Sequence, residues 1–244
     1  MATKVIDVES KRETTRALSV VLGYMCIGLL VTAISCFGFS YLFSYLIVNA
    51  TPATEDAVAM GLMITMIAGF IVLLILNFVV SITIFKAKKG AWIPYILYTA
   101  VMGLALAPTV MFIDAATIGT AFAITAGVFL VLFLIGYFSK ADLTPLGLIA
   151  LGLLFSVVFV PLPFLIIYLI NPAAAALWNL VAAIVCSVVI VLIVAFDANR
   201  MAREIQGGVF SNSMALYYAY SFYCDFIMIF IRVLLLLAST SKRN

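Results

Sequence analysis

The sequence predicts an all-α integral membrane protein of seven transmembrane helices with almost no soluble part. Three observations lead there. Hydrophobic residues make up 67% of the 244 residues and charged residues only 9%. A soluble domain needs roughly a quarter of its residues charged, so lipid must be the solvent around most of this chain. Seven apolar stretches reach the ~20 residues that a helix rising 1.5 Å per residue needs to cross a bilayer. Finally, Lys and Arg occupy alternate loops, as successive crossings require.

The stretches run Leu18–Val48, Ala57–Phe85, Ala91–Ile113, Thr117–Phe138, Leu143–Ile170, Ala174–Phe196 and Ser213–Ala238. A polar arm, residues 1–17, precedes the first; it lacks the short apolar core and small-residue site of a cleavable signal peptide. The first, second and fifth stretches exceed the minimum length, which tilt or protrusion accommodates. Pro161 and Pro163 remove backbone donors from the fifth and should kink it. None shows the short alternating segments of a barrel strand. Residues 239–244 form a short tail. With no internal repeat and no long linker, 18–238 is expected to be one transmembrane domain.

Charge sets the expected topology. The arm carries Lys4, Lys11, Arg12 and Arg16, the second loop Lys86, Lys88 and Lys89, the fourth Lys140, and the sixth Arg200 and Arg203. The first, third and fifth loops have no Lys or Arg, and Glu55, Asp56 and Asp114 fall there. The positive-inside rule therefore places the N-terminus in the cytoplasm. Seven spans put the C-terminus outside, where Lys242 and Arg243 are the one dissenting signal.

Several classes are excluded. A net charge of +3 without a basic stripe gives no footprint for nucleic acid. No HExxH, GxSxG or phosphate-cradling Gly loop is present, so no enzyme is expected. A retinal protein requires a lysine within a span, and none has one. Intramembrane aspartyl proteases carry their second Asp in Gly-x-Gly-Asp, whereas this chain has Phe-Tyr-Cys-Asp. Cys26, Cys36, Cys186 and Cys224 lie in apolar stretches without metal-ligand spacing, and read as small buried hydrophobes. Histidine is absent, so any pH response must come from carboxylates.

Three charges fall within or at the edge of the last two spans: Asp197, Asp225 and Arg232. Such charges are costly and point to function by default. Asp225 lies ~18 Å along its helix from Ser213, close to mid-membrane. Its plain structural role would be a hydrogen bond to a neighbouring helix. Asp197 falls at the cytoplasmic end of the sixth span, where it could pair with Lys86, Lys88 or Arg200. Arg232 follows Asp225 by seven residues and shares its helix face; as a structural residue it would snorkel to the surface. Two facing carboxylates could share a proton, hold Ca²⁺ or activate water. The two acids appear at different depths, and meet only if the sixth helix continues inward or the seventh begins outside the membrane.

The runs PYILYTAVMGLALAP (Pro94–Pro108), AFAITAGVFLVLFLIGYFSKADLTPLG (Ala121–Gly147), AFDANRM (Ala195–Met201) and YCDFIMIFIRVLLLL (Tyr223–Leu237) resemble the Bax inhibitor-1, or transmembrane Bax inhibitor motif, family. GYFSKADL and Asp-Phe-Ile-x-Ile-Phe are their most specific parts. The resemblance implies a last helix central within a bundle of six, and a pH-dependent Ca²⁺ leak across the bacterial plasma membrane or the endoplasmic reticulum. It implies that Asp197 and Asp225 are the pH sensor and gate, meeting in a cytoplasm-facing cavity, with Ca²⁺ the transported ion rather than a cofactor. Some members latch the first Asp with an arginine at the end of the second helix. Here Lys86 and Lys88 stand in that region, and they and Arg232 are the candidate latch cations, although ammonium lacks the two-pronged geometry of guanidinium. Phe196 stands where Tyr is commoner. The lysine-rich tail of animal members is missing, which favours a bacterial source. The expected partners are the bilayer, Ca²⁺ and protons. The alternative from another class is a non-conducting interaction protein that restrains a membrane protease or a cell-death regulator.

Overall fold

In the computed structural model, residues 2–51, 54–85, 90–145, 147, 172–208 and 210–241 are described. Among them every regular element is a helix: α1 (Ala2–Val48), α2 (Glu55–Phe85), α3 (Trp92–Met111), α4 (Ala115–Phe138), α5 (Pro172–Gln206) and α6 (Asn212–Ser241). Five are long and apolar enough to cross a membrane, over Thr14–Val48, Glu55–Ile84, Trp92–Met111, Ala115–Phe138 and Asn212–Ala238. Their boundaries fall within a few residues of the expected ones. The polar arm continues α1 as helix back to Ala2. The sixth expected span lies within α5. The fifth, Leu143–Ile170 with Pro161 and Pro163, lies almost wholly outside the described residues, as do Lys86, Lys88 and Lys89.

The helix ends have local causes. Asp114, which the sequence places in the third loop, accepts a hydrogen bond from the Thr117 N–H (2.8 Å) and caps α4. The Thr117 hydroxyl, and then this bond, hold its carboxyl below the usual carboxylate range. Glu55 and Asp56 occupy the first turn of α2, where negative charge suits the helix dipole. Between α5 and α6, Gly208 adopts φ +68, and the N–H groups of Gly207 and Gly208 return to the Arg203 and Ile205 carbonyls.

The contacts divide the chain into two units. One comprises Met1–Thr120 and Phe210–Tyr223, the other Ala121–Val209 and Cys224–Asn244. In the first, α1 packs along α3 through two stripes of small or polar residues spaced by four: Gly28, Thr32, Cys36 and Ser40 against Tyr95, Thr99, Gly103 and Ala107. The Thr32 hydroxyl donates to the Thr99 carbonyl (2.9 Å) and the Ser40 hydroxyl to the Ala107 carbonyl (3.0 Å). Both bonds span 67 residues. A constant offset means that α1 and α3 run parallel, as the first and third crossings of a membrane must. Without hydrophobic drive between helices in lipid, small residues and interhelical hydroxyl bonds supply the attraction.

Tyr95 and Tyr98 of α3 meet Tyr220 and Tyr223 of α6 edge to face, with Tyr98 and Tyr220 at 5.3 Å and 77°. The buried hydroxyls are placed: Tyr223 pairs with Thr32 (2.6 Å), Tyr95 donates to the Tyr24 carbonyl (2.9 Å), and Tyr220 accepts from the Asn77 amide (2.8 Å).

A Cβ on Gly103 would stand 2.5 Å from the Thr32 carbonyl oxygen and 2.8 Å from the Cys36 nitrogen. Neither backbone can yield alone. Gly103→Val should therefore force α1 and α3 apart and cost about 3 kcal/mol. A lowered melting temperature in detergent is the expected result, and an unchanged one would remove this packing from the account.

Candidate functional site

The second unit is assembled from α4, α5 and the later part of α6. Its interior begins with aromatic packing. Phe226 meets Phe122 at 5.4 Å and Phe129 at 5.8 Å, and Phe122 also meets Phe230. These contacts draw α4 onto α6. Between α4 and α5 the approach is closer, because Gly136 presents no side chain to the Ala195 backbone. Phe196, next along α5, covers Gly147, where a Cβ would meet its ring at 2.5 Å.

Against this frame stand the two acids. Asp197 is 7% exposed and Asp225 only 2%. The Asp197 carboxylate is near enough to act on Asp225 electrostatically. The Asp225 Oδ2 atom is buried and makes no hydrogen bond among the described residues. The depth problem raised by the sequence is resolved by helix length. α5 runs nine residues beyond Asp197, and α6 begins thirteen residues before Asp225. Measured from the α5–α6 turn, their depths differ by four residues, or roughly 6 Å of rise.

Of the candidate latch cations, Lys86 and Lys88 lie outside the described residues. Arg232 is half-buried two turns further along α6 and makes no ion pair among the described residues. Arg200, one of the partners considered for Asp197, pairs with Glu204 (3.1 Å). No cluster of three or more His, Cys, Asp or Glu side chains occurs among the described residues. Ca²⁺ takes six to eight oxygens, more than two carboxylates alone supply.

One side chain went unread in the sequence. Asn199, 1% exposed, donates its amide hydrogens to the Ser139 carbonyl (2.9 Å) and the Gly136 carbonyl (3.2 Å). Its oxygen accepts from the Leu143 N–H (3.4 Å). It thus satisfies carbonyls that α4 leaves open at its end and ties the following loop to α5. One turn on, Arg203 binds Asp142 and the Thr144 hydroxyl. The Thr144 hydroxyl and N–H, together with Arg203, hold the Asp142 carboxyl below its ordinary range. The sequence carried no distinct signal for it, since the need of an uncharged amide for partners shows only once it is buried.

A helical membrane protein with two buried acids on its last two helices is the class that this fold and site define. The chain belongs to the Bax inhibitor family: the family model described as "Inhibitor of apoptosis-promoting Bax1" matches residues 14–242. It is also similar to the inner membrane protein YbhL of Escherichia coli strain K12, at 29% identity over 220 residues, covering 88% of this chain and 87% of that one. The YbhL protein of E. coli O6:H1 matches to the same extent.

Proposed function

We propose that this protein is a Ca²⁺ leak channel gated by protons at Asp197 and Asp225. The observation that carries the reading is the buried, unbonded Oδ2 of Asp225 beside a second buried carboxylate. A buried acceptor without a donor calls for a proton, a water or a cation. Two adjacent carboxylates out of water cannot both ionise cheaply, so they share one proton. With the proton shared, α5 and α6 pack closely and the path is closed. Changing the proton count alters their repulsion and shifts the closed–open equilibrium. The charge alternation favours a cytoplasmic N-terminus, with Lys86, Lys88 and Arg232 as the cations available to latch an ionised acid. Glu55, Asp56 and Asp114, in loops that the charge alternation assigns to the outside, would concentrate cations there.

The test is Ca²⁺ entry into sealed liposomes holding the purified protein, stepped from roughly pH 6 to 8. Flux above protein-free liposomes that varies with pH is the expected result. Folded protein with no flux at any pH would sink the channel reading. The wording of the family description favours a second reading, an inhibitor that binds a protein partner and conducts nothing. That protein would keep its partner after Asp225→Asn, whereas a channel would change its flux.

A further inference from the structure

Three residues of α5 bear on the end of α4 and the loop after it: Ala195, Asn199 and Arg203. Spaced by four, they form one stripe along the helix. Asp197 lies between the first two and, at about 100° per residue, projects from another face. The stripe therefore fixes how far α5 is rotated, and the rotation fixes where Asp197 stands.

We propose that Asn199 is the positioning residue of the acid pair, setting the rotation and depth of α5 so that the Asp197 carboxylate faces Asp225. This rests on the reading of that pair as a proton-sensitive gate. Among the three contacts, Asn199 is the one that specifies an angle. The Gly136–Ala195 approach allows closeness but offers no direction. The Arg203–Asp142 pair is 40% and 63% exposed and contributes little. Asn199 uses both donors and its acceptor on three backbone groups, and any rotation of α5 leaves buried groups unsatisfied. The leverage is large. At a radius of about 6 Å, a helix side chain moves about 2 Å for a 20° turn, enough to make or break a hydrogen bond.

The ionised group acting on Asp225 among the described residues is Asp197. Arg200 is bonded to Glu204 and Arg203 to Asp142, and Lys140 is exposed in the loop. Tyr137 on α4 stacks on Phe133, and Tyr223 and Cys224 adjoin Asp225 on its own helix.

The experiment follows the protonated-carboxyl band by infrared difference spectroscopy as pH is stepped, using full-length protein in liposomes, beside Ca²⁺ flux. Asp197→Asn and Asp225→Asn identify the band. Asn199→Leu, which keeps the branched outline and loses the three bonds, should displace the midpoint of both titrations to lower pH, because carboxylates moved apart repel less. The expected displacement is about one pH unit, a tenfold change in proton affinity. Asn199→Gln, which keeps the amide, should recover part of it, and Arg203→Ala should leave it unmoved. Should Asn199→Leu fail to fold, Asn199→Gln and Asn199→Asp carry the comparison. A band that responds to the Asp variants but keeps its midpoint in the Asn199 variants overturns the positioning role and leaves the gate standing. A band that neither Asp variant alters overturns the gate reading itself.

Discussion

If the proposed gate operates, Asp225→Asn should abolish the pH dependence of Ca²⁺ entry while leaving the protein as heat-stable as the parent or more so. The expectation follows from what the amide replaces. An asparagine at this site imitates a protonated aspartate in shape and keeps a donor where the proton would sit. It also deletes the charge that Asp197 opposes. A gate worked by one proton can change its open population by at most about tenfold per pH unit; with the titrating group gone, the flux should be flat. Stability should move the other way. Asp225 is 2% exposed with an unbonded oxygen, and replacing such a buried charge with a neutral group is often neutral or stabilising. Flux measured across pH, together with the melting temperature in detergent, separates the two roles. A pH response retained by folded Asp225→Asn would refute the gate. A large fall in melting temperature would mark the residue as structural.

Gly136→Leu should be among the most damaging single changes available in the chain. A Cβ there would lie 2.2 Å from the Ala195 carbonyl oxygen and 2.8 Å from its Cα, so the obstacle is backbone and cannot swing aside. α4 must retreat from α5, which costs about 3 kcal/mol by overpacking, and the Asn199 bond to the Gly136 carbonyl, worth about 1 kcal/mol, goes with it. For a chain of this size, that corresponds to a fall of roughly 10 °C in melting temperature. Gly23→Ala is the matched control, since a Cβ on Gly23 meets nothing within 4 Å. It should be neutral or stabilise α1 by up to ~1 kcal/mol. If the two variants melt together, close helix approach at Gly136 is not what holds this unit.

How far the sequence disclosed these features depended on the kind of signal. The limits of α2, α3, α4 and α6 were legible because each is bounded by a break in hydropathy, which lipid enforces on every residue of a span. α5 was only half legible. Its apolar run ends near Phe196, yet the helix continues to Gln206, carried by tertiary contacts at Asn199 and Arg203 that hydropathy does not weigh. That extension removes the apparent mismatch in depth between Asp197 and Asp225. The acids themselves stood out because charge in lipid is rare. Asn199 and the tyrosines did not, because an uncharged polar group is costly only when unpaired, and pairing is a property of the fold. Asp114 was legible only as an acid of the third loop, whereas its work is to cap α4.

The parallel pairing of α1 and α3 behaves as a vernier. Thr32 and Ser40 engage carbonyls at one fixed offset, and Gly103 leaves no slack for a slide of an ångström or two. The next arrangement that brings hydroxyls back to equivalent carbonyls lies a full turn away, about 5.4 Å. Such a pair can stay or jump, but cannot creep. Small graded displacements of the kind that opening a cation path demands are therefore closed to these two helices, which act as the fixed post of their unit.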